Sequence, residues 1–490
     1  MRGTMMVSGM SRRVALKVGG AWLGMLAPAL RRAAAQEDDV LQHWIEGSAI
    51  RIEAGSGADW NTHSTERLMK AIGNSRIVML GEPSHGAGAA FSAKTQLVQL
   101  LHERMEFDVL VWESGLIDLE RTEAGLRAGV DPVEAAQRGI LKIWSASGEC
   151  RPLFAYASAS HRSGRPLTMA GFDMQLPAAG TLDYFAGELR AFVGSAQMAA
   201  RRGAKELAEE ILDSFGRLNR YTDALTTKLN ELARSGVNGS AQSDAVQAWN
   251  KTEGDSLRPV AEDVHRLEGV VDSLVRLISG HPAGGRSGRA GFMMRAVRSL
   301  EGYGQNLLET QGEHTPEEAA QYAVGTENRR DRINAENLRW LIDEEYAGKK
   351  IVVWAHNAHV MNAWYPKGFD HVSLTPVADG MKPMGVWLTE WYGPAVYKMG
   401  FTTYEGSDGW IGATPTVVPP APIGSLEERL HRLRVAEAIL PLRGAAGWRR
   451  SLAPSLAMRI PKYETETIVN PAQPFDAVYF IDKMKPATLN

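Results

Sequence analysis

The chain has a single cysteine, Cys150, among its 490 residues. That excludes an internal disulfide framework and any metal site built from several cysteines. Beyond the first 35 residues there is no long apolar run, so no later stretch reads as a transmembrane helix. There is no excess of positive charge either: 54 Lys and Arg stand against 57 Asp and Glu, a formal net charge of −3. Six of the basic side chains (Arg2, Arg12, Arg13, Lys17, Arg31, Arg32) fall in the first 35 residues, which hold no acid, so the remainder balances 48 against 57, or −9. A nucleic-acid partner needs a basic footprint and is disfavoured. The nucleophile elbow G-x-S-x-G is missing as well. Ser84 comes closest, with Gly86 after it but Glu82 in place of the first glycine. Cys150 stands in a loop with no nucleophile signature and reads as a structural thiol.

What is present is an ordinary globular composition, 44% hydrophobic and 23% charged, in a chain long enough for one large domain with an insertion. The N-terminus reads as a targeting segment. Ser11-Arg12-Arg13-Val14-Ala15-Leu16-Lys17 resembles a twin-arginine export motif, an apolar stretch from Val18 to Leu30 follows, and Ala33-Ala34-Ala35 offers a small-residue cleavage site before Gln36. The apolar stretch is too short for a stable membrane anchor. The expectation is a folded protein passed by the twin-arginine translocase and working in the periplasm or outside the cell, with residues 1–35 removed.

The mature chain alternates short apolar runs with helical patterns. Ile77–Leu80, Phe107–Trp112, Leu167–Phe172 and Lys350–Trp354 read as buried strands, and Phe475–Ile481 as a late one. From 181 to 310 the pattern turns helical and charged, with Gly/Ser punctuation. The expected architecture is α/β: a mostly parallel sheet flanked by helices, built from 36–180 and 311–490, with an inserted α-helical subdomain at 181–310. Further helices are expected over 325–346 and 426–439, and aromatic-rich strands or hairpins over 385–410. The aromatics Trp354, Trp364, Tyr365, Trp387, Trp391 and Tyr392 are expected mainly to pack the core and sheet faces, some lining a pocket.

Four of the strands end in ionisable residues: Glu82 and His85, Glu113, Asp173, and His356 with His359. The carboxyl-end rim of parallel strands is where ligands bind in open α/β sheets. A carboxylate three residues before an imidazole suits a base with its orienter. Glu82-x-x-His85 and His356-x-x-His359, with Glu113, are also tolerable metal-ligand spacings, though neither pair sits on a long helix as in H-E-x-x-H. A capped turn with a backbone-satisfied histidine is the third reading. After His85, residues Ala90, Lys94, Leu97, Val98 and Leu101 share one helical face, which puts Lys94 on the apolar side. It is either a snorkelling lysine or a cation held over the rim. Arg330, Asn334 and Asn337 share the inward face of a later helix, Arg330 being either a structural ion pair or a substrate contact.

The segments GEPSHGAGAAFSAKTQLVQLLHE, VLVWESG, LTMAGFDMQ, RRDRINAENLRWL and VVWAHNAHVMN, in that order, resemble the erythromycin esterase family. The Gly400–Gly406 stretch and FDAVYFID near the end agree, so the resemblance spans about residues 40–485. It implies an α/β core with a helical subdomain and a cleft between them. It implies hydrolysis of a small-molecule ester or lactone, a macrolide in the family's known members, hence the link to antibiotic resistance. No metal or other cofactor is required. His85 then falls on the general base that activates water, Glu82 on the acid beside it and Glu113 on the acid of the next strand. His356 and His359 fall on histidines that position water or substrate. Lys94 stands where macrolide esterases tend to have arginine, keeping the charge but losing the planar two-pronged donor. Lys94, Asp173, Arg330 and His359 are the candidate substrate contacts. Two other readings stay open: a metal-dependent hydrolase or metal-binding protein using the same Glu/His set, and a non-catalytic envelope accessory.

Overall fold

The computed structural model describes residues 39–52, 61–176, 178, 180–198, 200–235, 240–252, 254, 261–280, 288–309, 316–362, 371–373, 380–444, 456–459 and 466–489. The expected export signal lies outside these residues, as do Trp364 and Tyr365.

Period-two burial builds the centre of the molecule. In β2 (Ile77–Leu80), β3 (Val109–Gly115) and β5 (Ile351–Trp354) successive side chains alternate between two cores. Ile77, Met79, Val109, Val111, Ile351 and Val353 face one core, shared with the helices after residue 180. Val78, Leu80, Leu110, Trp112, Val352 and Trp354 face the other, which is closed by helices such as Gly88–Met105 and Arg151–Arg162. Burial on both faces is why these strands appear in the sequence as continuous apolar runs.

With β1 (Ile50–Ile52), β4 (Thr168–Asp173), β7 (Val396–Asp408), β9 (Glu437–Pro441) and β12 (Ala477–Met484), the main sheet runs β1-β9-β12-β7-β2-β5-β3-β4. From β12 to β4 all pairings are parallel. Strands β1 and β9 extend one edge antiparallel, and β8 (Thr416–Val418) folds back on β7. The sheet is therefore mixed and flanked by helices, as expected in class. A small antiparallel sheet, β10 (Ala457–Arg459), β11 (Glu466–Val469) and β6 (His371–Ser373), lies apart from it.

After β4 the chain leaves the sheet for a run of helices, six among the described residues between 181 and 340. The last, Pro316–Trp340, packs against β4 and the helices Gly288–Glu309 and Met384–Tyr392. The chain then returns as β5, between β2 and β3.

Two expectations differ from the structure. Over 385–410 the first part is the helix Met384–Tyr392, and only the second part is a strand. Trp387 and Trp391, four residues apart, turn toward the preceding helix, where the Arg332 guanidinium lies 4.1 Å and 5.4 Å from their ring centroids. That tertiary contact overrides the β preference of the aromatics. The helix expected over 426–439 stops at His431, Arg434 takes a left-handed φ of 52°, and β9 begins at Glu437. The strand is drawn into pairing with β12 and β1.

Candidate active site

The turn after β2 is built for close approach. A Cβ on Gly81 would lie 2.1 Å from Asn357 Oδ1, so only glycine lets the loop after β5 come this near. Asn357 N donates to the Glu82 carbonyl at 2.8 Å, and the Asn357 side chain exchanges two hydrogen bonds with Phe401 of β7. The ends of β2 and β5 are thus stitched to β7, and the ionisable residues expected at the rim converge.

Glu82 is fully buried. Its Oε1 meets His85 Nδ1 at 2.9 Å and accepts from Trp144 Nε1 at 3.2 Å, while Oε2 accepts from Lys94 Nζ at 2.7 Å. A carboxylate can only accept, so His85 carries its proton on Nδ1 and the neutral ring presents a lone pair at Nε2. His85 Nε2 lies 4.0 Å from Glu113 Oε1. The His85 side chain is 24% exposed, against 15% for Arg330, 9% for His359 and 2% for Glu113. It is more open than these three to a molecule arriving from water.

Lys94 lies beneath the rim and not over it. Its side chain is fully buried, and Nζ also donates to Ala355 O at 3.1 Å and sits 4.2 Å from the Trp354 ring centroid. Burial lowers its pKa, opposed by the Glu82 charge and hydrogen bond. In this arrangement its partner is Glu82, with no surface left for a substrate.

Glu113 is the second hub. Oε2 accepts from the His356 backbone N–H at 2.7 Å, and Oε1 accepts from His359 Nε2 at 3.1 Å and from Arg330 at 3.3 Å. Burial alone would raise its pKa, but His359, His85 and Arg330 hold it well below the usual carboxylate range. Arg330 continues to Asp173 through two contacts, at 2.6 and 3.3 Å. Asp173 Oδ1 also accepts from Asn334 at 3.4 Å. Arg330 and Asp173 therefore form a buried ion pair behind Glu113.

The two later histidines differ. His356 Nδ1 accepts from Ala358 N–H at 3.2 Å, capping the short helix Asn357–Val360. Burial, followed by the nearby His85, pushes its pKa down to about 3, so it stays neutral. His359 is clasped between carboxylates: Nδ1 lies 2.5 Å from Asp331 Oδ1 and Nε2 3.1 Å from Glu113. Burial opposes its charge, but Asp331 and Glu113 outweigh that and raise its pKa well above the ordinary value. The set then carries four carboxylates (Glu82, Glu113, Asp173, Asp331) against three fixed cations (Lys94, Arg330, His359). A proton on His85 would close the balance. Accordingly, although burial is the largest single influence and lowers it, the hydrogen bond to Glu82 and the charges of Glu113 and Glu82 together raise the His85 pKa above 6.5.

Asp331 is absent from the sequence-derived candidates. It lies one residue off the inward face on which Arg330 and Asn334 were placed, and Met384 N–H donates to its Oδ2 at 3.1 Å. Asp331→Asn should remove the main support for the His359 charge. His359 has a raised folded pKa, so the stability its charge confers is complete below pH 6.5 and fades as pH rises through the folded value. We expect the variant to lose about 3 kcal/mol in urea melts below that pH and progressively less above it. An equal deficit at all pH values would contradict a charged His359.

Among the aromatics, Trp354 packs in the core as expected, and the rings beside His85 are two that the sequence does not single out. Trp354 stacks on Trp112 at 4.5 Å in the core. The rings meeting His85 edge-on are Trp144, at 5.5 Å, and Trp410, at 6.0 Å. No signal in sequence spacing marks either, since Trp144 lies between β3 and β4 and Trp410 just after β7, both away from the strand-end motifs. Among the described residues no group of three or more His, Cys, Asp or Glu side chains is arranged to hold a metal ion. A neutral imidazole, oriented by a buried carboxylate, can take a proton from water, and cations such as Arg330 and His359, held on the neighbouring Glu113, can steady the charge that develops on a carbonyl oxygen.

Comparison with known proteins agrees with this architecture. The chain is 24% identical over 466 residues, 93% of its own length and 94% of the other's, to YbfO of Bacillus subtilis (strain 168), itself only provisionally named a hydrolase. A solved structure described as a succinoglycan biosynthesis protein superimposes with a TM-score of 0.65 at 16% identity, covering 92% of this chain and 98% of that one. A mutant of the erythromycin esterase EreC in its open conformation gives 0.58 at 18% identity, covering 88% and 96%. These two likenesses establish the fold. The erythromycin esterase model matches residues 102–484, a span that begins beyond Glu82, His85 and Lys94 and takes in Glu113, Asp173, Arg330, His356 and His359. Since that match covers well over half of the sequence, the chain belongs to the erythromycin esterase family.

Proposed function

We propose that this protein is an exported hydrolase of an ester or lactone, with His85 as the general base that activates water. Family membership supports hydrolase activity. The observation that carries the finer reading is the His85 imidazole, held at Nδ1 by buried Glu82 and open at Nε2. Water gives a proton to Nε2 as its oxygen bonds to the carbonyl carbon. The tetrahedral intermediate then collapses, the C–O bond to the leaving group breaks, and the imidazolium returns the proton to the departing alkoxide. Arg330 and His359 supply positive charge beside Glu113 for the oxyanion. Lys94 acts on Glu82 and through it on His85, as a positioning residue. His356, neutral throughout, holds the β5 loop and its backbone N–H on Glu113. The N-terminal segment supports passage through the twin-arginine translocase to the periplasm or beyond.

The test is a panel of macrolides, lactones and aryl esters given to the purified mature protein, with and without a chelator. Turnover of at least one ester or lactone, indifferent to chelator, is expected. Since the base must be neutral, kcat/KM should rise with pH through a midpoint above 6.5. Glu82→Gln should shift that midpoint downward, because the carboxylate is what raises it. Activity lost on chelation, or a midpoint indifferent to Glu82, would overturn the assignment.

A further inference from the structure

Strand β7 runs on beyond the rim, where Gly406, Ser407 and Asp408 pair with Val418, Val417 and Thr416 of β8. The connection between the two strands carries Trp410 to the mouth of the site, where its indole is 57% exposed and meets His85 edge-on. Its place is built. Ser84 Oγ donates to Asp408 Oδ1 at 3.1 Å, and Ser84 Oγ in turn accepts from Gly86 N–H at 3.0 Å. Gly409 N–H donates to Gly86 O at 3.4 Å, and Ala413 N–H to Trp410 O at 2.9 Å. A Cβ on Gly86 would lie 2.4 Å from Asp408 Oδ1 and 2.5 Å from Gly409 C. Glycine at 86 thus allows the connection to seat directly on the His85 turn. Scattered exposed apolar side chains need no explanation. An indole fastened through its neighbours to the residues flanking the proposed base is a different case. Trp144, the other indole beside His85, is fully buried and bonded to Glu82, so it offers no face to a ligand.

We propose that Trp410 is the platform of a substrate subsite beside His85 and receives the apolar face of a ring-bearing group, aryl, alicyclic or macrocyclic, on the ester. The proposal rests on the ester-hydrolase reading above. More than half of Trp410 is exposed in the free protein; a ring laid on that surface covers it, while a short acyclic ester reaches His85 without touching it. Trp410 therefore selects among esters and takes no part in proton transfer.

The experiment compares naphthyl acetate with methyl acetate in the wild type, Trp410→Ala and Trp410→Phe, and measures naphthol binding to each by calorimetry. Trp410→Ala should raise KM for naphthyl acetate roughly three- to tenfold with kcat unchanged. It should leave methyl acetate hydrolysis as it was, and Trp410→Phe should recover most of the loss. Naphthol binding should weaken in parallel. Equal losses on both esters, or unchanged naphthol affinity, would overturn the subsite, as would a wild type that does not bind naphthol. If the wild type cleaves neither ester yet binds naphthol through Trp410, the subsite stands and the hydrolase reading falls.

Discussion

Replacing His85 by alanine is expected to lower kcat/KM for the ester or lactone turned over by about 10²–10⁴-fold while leaving the fold intact. The loss is large because no other group in the site has a free basic atom in the right place. His356 is neutral, but its Nδ1 is engaged with the Ala358 N–H. His359 is held between two carboxylates and is a cation. Glu113 already accepts from His356 N, His359 and Arg330. The fold should tolerate the change because His85 lies in a turn and is partly exposed, and Glu82 keeps Lys94 and Trp144 as partners. Glu82→Gln combined with His85→Ala should be scarcely worse than His85→Ala alone, since Glu82 acts through the ring that is gone. Full activity in His85→Ala, with circular dichroism unchanged, would remove the general base from the mechanism.

Lys94→Met should have the largest effect on stability. It leaves the Glu82 carboxylate buried without its cation, and breaking a buried pair from one side costs about 3–5 kcal/mol. The same change has a kinetic signature. With Lys94 gone, Glu82 keeps only His85 and the neutral Trp144 N–H as partners, so the His85 pKa should rise and the acid limb of kcat/KM should move to higher pH, opposite in sign to Glu82→Gln. Denaturant melts and a pH–rate profile check both halves. Lys94→Arg is not a mild control. The larger guanidinium must enter a fully buried space already closed by the Trp354 ring, and overpacking of that kind costs about 1–3 kcal/mol. A Lys94→Met protein as stable as the wild type would remove the Lys94–Glu82 ion pair from the forces that hold the site.

The expectations that held rest on short-range physics. The apolar face of the helix Gly88–Met105 is buried as its spacing required, with Ala90, Lys94, Leu97, Val98 and Leu101 all inside. Strands β2, β3, β4 and β5 lie where their apolar runs placed them, and their ends do meet. The expectations that failed concern segments whose local preference is weak beside their partners: the helix 384–392, held by cation–π contacts with Arg332, and the strand 437–441, captured by two neighbours. Lys94 was legible as buried but not as the partner of Glu82. A helical wheel gives the side on which a residue falls and says nothing of what lies across from it.

By itself the sequence determined which side chains stand at strand ends, because strand length and turn are set within a few residues, and it determined that Glu82 and His85 share one turn. Only the tertiary structure decided that β5, after a long helical excursion, inserts between β2 and β3. That insertion sets the two late histidines between the first two acids. It also decided that Asp331, from a helix packed over the rim, makes His359 a cation, and that the β7–β8 connection brings Trp410 to His85. These are contacts between segments tens to hundreds of residues apart, chosen by how two cores close on the faces of one sheet, and no local pattern encodes them.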